Sequence, residues 1–119
     1  MEQEVYGFVL RYWGLLKIGE LPLLCEAFQI PCFLISENFA RIFESRSDLL
    51  AFLKKNSPRV SSSPPRIESV TPKFLDPDLY LEVKLRDIAR HRTLHIIREN
   101  HTFKVCCDIE GASICQNLA

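Results

Sequence analysis

The hydrophobic period of this chain changes once, and that change decides what it can fold into. Up to residue 56 the apolar residues recur mainly at steps of three and four; from residue 66 they alternate. The first spacing is that of an amphipathic helix, the second that of a strand with one buried face. Between them lies Ser57-Pro58-Arg59-Val60-Ser61-Ser62-Ser63-Pro64-Pro65. Its proline and serine density excludes regular structure, so 57–65 is expected to be a flexible loop.

In the helical half, Val5, Phe8, Val9, Tyr12 and Leu16 place one apolar face on a helix over 2–17, widened by Trp13 and Leu15. Gly19-Glu20 breaks it. A short second helix follows, with Pro22 in its first turn and Leu24, Cys25 and Phe28 as its inward stripe. Residues 32–36 and 40–44 read as a hairpin around Glu37-Asn38. Ser45 with Asp48 has the spacing of a capping box, predicting a third helix over 46–56.

The alternating half predicts four strands. Residues 66–75 carry Pro72, which demands an edge or a bulge. In 79–88, Leu79, Leu81, Val83 and Leu85 oppose Tyr80, Glu82, Lys84 and Arg86. A turn is expected at 89–92 and another at Asn100-His101. In 93–99, Leu94 and Ile96 oppose His95 and Ile97; in 102–109, Phe103, Val105, Cys107 and Ile109 oppose Lys104, Cys106 and Asp108. Short turns make this an antiparallel meander. Helices must cover its apolar face, so the fold class is α+β, in two layers around one core. A length of 119 residues suits a single domain over 1–119, with 111–119 as a frayed tail.

Fifteen basic residues balance fifteen acidic ones, which lacks the cationic excess that drives phosphate binding, so no nucleic-acid partner is expected. No apolar run reaches the roughly 18 residues of a membrane span, so no membrane partner is expected either. The N-terminus carries Glu2 and Glu4 where a secretion signal carries basic residues. Five cysteines, an odd count without secretory context, point to reduced thiols and a cytoplasmic location.

Together the element order and its residues resemble the nuclear transport factor two-like superfamily, and within it the SnoaL-like proteins. Arg11-Tyr12-Trp13-Gly14-Leu15-Leu16 followed by Lys17-Ile18-Gly19-Glu20-Leu21 resembles the family's aromatic helix and its glycine–acid break. Leu24 to Phe28, Arg41 to Phe52 and the terminal meander match in order and spacing, over residues 4–110. The resemblance implies a cone: a curved antiparallel sheet packed on three helices in the order α-α-β-β-α-β-β-β-β, often with a pocket at its open end. It also implies homodimers through the sheet, and a setting among uncharacterised bacterial genes, mobile cassettes included. Its members range from isomerases, cyclases and dehydratases to ligand binders and dimerisation modules, so fold alone selects no function. Steroid isomerases of the family need a tyrosine donor, a carboxylate base and a second acid. Tyr12 matches the donor, Ser36 stands where the base belongs, and the second acid's place falls near His95.

Three functions remain open. A small apolar ligand would sit between the first helix and the sheet, with Tyr12 and Trp13 as polar and aromatic wall and Phe33, Leu81 and Val83 as apolar wall. The alternative for Tyr12 and Trp13 is plain core packing. A homodimeric interaction module would use Ile97 and Cys106, since that strand is apolar on both faces. A cyclase-, isomerase- or dehydratase-like enzyme would use His95 and Asp108 as an acid–base pair on neighbouring strands; the plain alternative is two polar residues on the outer face. No cofactor and no metal are expected. The four glycines are isolated, no C-x-x-C occurs, and His91 and His95 on one strand lie about 13 Å apart, too far to share a zinc. Arg86, Arg90, His91 and Arg92 read as a solvated basic turn.

Overall fold

The structure, a computed structural model, describes residues 2–56, 63–75, 78–86, 90–99 and 102–113. Helix α1 (Glu2–Ile18) buries Val5, Val9, Tyr12 and Leu16, one residue per turn. It stops at Gly19, whose φ of 80° lets the amides of Gly19 and Glu20 return to the carbonyl of Leu15. Helix α2 (Leu21–Glu26) leads into β1 (Phe28–Ile35), which pairs with β2 (Ala40–Phe43). Helix α3 (Arg46–Lys55) begins at Ser45, whose Oγ accepts from the Asp48 amide at 3.1 Å. Arg46 ties this helix back to the sheet by donating to the carbonyl of Phe28.

The second half is the expected meander: β3 (Arg66–Leu75), β4 (Asp78–Arg86), β5 (Arg90–Glu99) and β6 (Thr102–Ser113), each antiparallel to the next. All six strands form one sheet in the order β2-β1-β6-β5-β4-β3. Pro72 lies on β3, an edge strand, where its missing N–H breaks no ladder on the open side. The curved sheet stays unclosed and lays its inner face against the helices. Leu24, Phe28, Leu49, Leu81, Val83 and Leu94 are fully or nearly fully buried between the layers.

The sheet is mixed and not antiparallel throughout, because β1 runs parallel to β6. The two strands are distant in sequence, and the chain between them builds β2 on the far side of β1 and β3–β5 on the far side of β6, so no hairpin dictates their direction. Strand β1 also starts at Phe28, four residues before the expected point, with Pro31 inside it where the pairing to β6 shifts register. Strand β5 begins at Arg90, inside the expected turn, and β6 runs through Ser113 into the expected tail. Residues 57–62 of the expected loop, the Asn100-His101 turn, Cys115 and tail residues 114–119 lie outside the described residues. Among the described residues no helix is long and apolar enough to cross a membrane, and no cluster of His, Cys, Asp or Glu is arranged to hold a metal.

Candidate functional site

One irregularity in β6 builds the site. His95 pairs with Cys107, but the next residue, Ile96, pairs with Val105. Cys106 is therefore the extra residue of a β-bulge, and the alternation of faces reverses across it. Before the bulge, Val105 is the buried inward residue; after it, Asp108 is, at 6% exposure. Regular alternation would have put Asp108 outside with Lys104.

A carboxylate inside a core must be neutralised and hydrogen-bonded. Asp108 is met from two sides. Tyr12, one turn before the end of the buried stripe of α1, donates its phenol to Oδ2 at 2.6 Å. Arg92 donates Nη1 to the same oxygen at 2.7 Å. Arg92 sits diagonally across the β5–β6 ladder, because Leu94 is the residue opposite Asp108 and Glu110 is opposite Arg92; long side chains span that diagonal. Glu110 approaches the other guanidinium nitrogen at 3.8 Å and pairs with Arg90 on its solvent side. Burial, reinforced by the charge of Asp108, raises the Tyr12 phenol well above its usual range, so Tyr12 stays a donor. Burial works against the Arg92 charge, but Asp108, Tyr12 and Glu110 outweigh it and hold the guanidinium protonated.

The second oxygen of Asp108, Oδ1, is buried with no hydrogen-bond partner among the described residues. Asp108 lines a partly open cavity of about 100 Å³ between α1, α3 and the inner face of β1, β5 and β6. Leu16, Phe28, Leu34, Phe39, Phe52 and Leu53 make its apolar wall; Tyr12, Arg92, Asp108 and Glu110 make its polar end. Phe39 and Phe52 meet edge to face at 5.0 Å, and Arg41 caps Phe52 from outside. Two surface grooves are roomier, about 480 Å³ beside α2 and 540 Å³ beside β3, but no buried polar atom without a partner lines either.

Tyr12 lines the cavity. Trp13 does not: it is half-buried on another side of α1 with Lys17 over its ring at 5.0 Å, because consecutive helix positions point about 100° apart. Leu81 and Val83 face inward but are packed into the core away from the cavity. Phe33 points the other way, 45% exposed on the outer face, since Leu34 takes the inner position. His95 and Asp108 do not meet. His95 is on the outer face, its Nδ1 against the Tyr80 hydroxyl and its Nε2 4.0 Å from Glu82, while the bulge turns Asp108 inward. Burial lowers the His95 pKa, Lys73 adds to this and Glu82 opposes it. Ile97 and Cys106 are half-buried on the outer side, and Cys106 Sγ contacts the His95 carbonyl. Ser36 lines the cavity, and its Oγ accepts from the Asn38 amide. Arg92, read as part of a solvated turn, is an inward strand residue; the signal that reveals it is its two-residue spacing from Leu94 and Ile96.

No protein-family profile matches the chain, and no curated protein matches it in sequence. Solved structures do match in shape. An NTF-2 like protein of unknown function from Shewanella oneidensis MR-1 aligns over 92% of this chain and 97% of its own, with a TM-score of 0.62 at 14% identity. An NTF2-like protein with a cystatin-like fold from Novosphingobium aromaticivorans covers 95% and 81%, with a TM-score of 0.61 at 10% identity. ActVI-ORFA from Streptomyces coelicolor covers 96% and 97%, with a TM-score of 0.65 at 8% identity. At such identities the likeness is one of architecture: the chain has the nuclear transport factor two-like, cystatin-like cone fold.

Proposed function

We propose that this domain binds a small, largely apolar molecule in the cavity between α1, α3 and the inner sheet face. The observation that supports this reading is a space of about 100 Å³ with a largely apolar wall and a charged end at Asp108 and Arg92. Empty interior space costs stability, because the atoms lining it lose packing partners. The volume is well below the roughly 300–1,000 Å³ of drug-sized sites. It is nearer the roughly 150 Å³ of an engineered apolar cavity that takes benzene, so the ligand or ligand portion bound there is the size of one ring.

Toluene is the direct probe. Titrated into the protein, it should give saturable amide shifts confined to residues around Leu16, Phe52 and Leu53. Leu16→Phe, which fills the space from α1, should weaken that binding at least about tenfold. Shifts that are absent, or scattered over the surface and insensitive to Leu16→Phe, would refute the reading.

A second reading has its own observation. Phe33 and Ile42 are opposite each other on β1 and β2, 45% and 49% exposed on the outer face. Such a paired apolar patch fits a homodimeric interaction module joined through the sheet. An enzyme built on a His95–Asp108 pair is not supported, because the two side chains lie on opposite faces.

A further inference from the structure

The cavity's polar end holds a buried group without a partner, and this shapes what can bind there. The phenol of Tyr12 and one guanidinium nitrogen of Arg92 are both committed to Asp108 Oδ2. Arg92 Nη2 faces Glu110 at 3.8 Å, an ion pair longer than a hydrogen bond. The buried side-chain atom left without a partner at this end is an acceptor, Oδ1 of Asp108. Arg90 pairs with Glu110 from the solvent side, so two guanidinium groups balance the two carboxylates. The negative charge a ligand would meet at close range is that of Asp108 itself, which disfavours an anion there.

Resting on the binding function proposed above, we infer that the ligand is a single-ring-sized molecule bearing an O–H or N–H donor and no negative charge, with the donor directed at Asp108 Oδ1. A buried charged acceptor left empty is costly, and hydrogen bonds to charged groups are among the stronger ones. A donor that reaches Oδ1 relieves that cost, whereas an equally large ring without one leaves it in place. Sites built this way reject analogues that lack the hydrogen-bonding group far more strongly than they reject a change of size.

The fixed donors also foretell what one substitution does. In Asp108→Asn the amide oxygen must stay against Tyr12 and Arg92, both of which donate. The amide NH2 then occupies the place of Oδ1, and the free group changes from acceptor to donor. The preference for a donor should be lost with almost no change in shape.

The test compares four probes of similar size on the intact chain by NMR titration: phenol, toluene, benzaldehyde and benzoate. Wild type should bind phenol at least about tenfold tighter than toluene and benzaldehyde, and benzoate weakest. In Asp108→Asn the phenol preference should fall to within a few fold, and benzaldehyde should gain. Equal binding of phenol and toluene to wild type, or tightest binding of benzoate, overturns the inference while leaving an apolar site intact. Failure of all four probes overturns the site itself and the inference with it. The wild-type series decides the matter even if Asp108→Asn does not fold.

Discussion

At the scale of single residues, the site turns on which proton stays where. Tyr12 was legible as a residue of interest, since an aromatic with a polar tip stood in the stripe of an amphipathic helix. Asp108 was legible as well, but as a partner of His95; nothing local to it shows that it turns inward to Tyr12. The contact carries a pH dependence whose sign follows from linkage. The folded phenol is raised well above its ordinary value of about 10, mainly by burial and then by Asp108. Below about pH 10 both folded and unfolded phenols keep the proton, and the stabilisation is fully present. As pH rises past about 10 the unfolded chain releases its proton while the folded chain retains it, so stability falls. Tyr80, pushed up to about 12 mainly by burial, adds to the same slope. Urea midpoints measured between about pH 8.5 and 11 should therefore drop with rising pH, and Tyr12→Phe should flatten the drop. An equal slope in Tyr12→Phe would mean that the phenol does not hold its proton in the folded chain.

At the scale of elements, the sequence was informative wherever one period governed a whole segment. The stripe of α1, the cap of α3, the edge position of Pro72 and the order of the meander were all legible, because each follows from local chemistry. The cap can be measured directly: Ser45→Ala removes the acceptor of the Asp48 amide and should cost about 1 kcal/mol in urea unfolding. Because α3 supplies Phe52 and Leu53 to the cavity wall, the same variant should loosen toluene binding slightly without abolishing it. No change in midpoint would show that Arg46, bonded to the Phe28 carbonyl, holds the helix start alone. The misread elements failed for one shared reason. The bulge at Cys106 and the parallel pairing of β1 with β6 are set by distant partners, and neither leaves a mark in its own segment. A strict two-residue alternation carried through β6 put Asp108 and Cys107 on the wrong faces. A turn drawn up to residue 92 removed Arg92 from the sheet. Asp108 and Arg92, which with Tyr12 make the polar end of the site, are residues that local reasoning misplaces, because a one-residue slip sends every later side chain to the opposite face.

At the scale of the whole molecule, the sheet has two faces with separate uses. The inner face holds the core and the cavity. The outer face is divided along the strand order: Lys73, Glu82, Lys84 and Arg86 occupy the β3–β4 side, while Phe33 and Ile42 stand on the β1–β2 side with Ile35 and Ile109 paired beside them. A second copy is the occupant we propose for the apolar side. A twofold axis brings the same patch from each partner together, so a self-complementary apolar area needs no other binding surface. Strand β2 is only four residues long and a poor template for edge pairing, which leaves face-to-face contact. A stable interface buries about 800 Å² per partner, so it would extend from Phe33 and Ile42 towards Cys106 and Ile97. Light scattering from low to high micromolar concentration should find a dimer, and Phe33→Glu with Ile42→Glu should shift it to monomer by burying like charges across the axis. Wild type that stays monomeric throughout would exclude the module. The cavity opens on the inner side, so the monomeric double variant should bind phenol as wild type does. Loss of phenol binding together with the dimer would instead mean that the cone holds its shape only in the assembled pair.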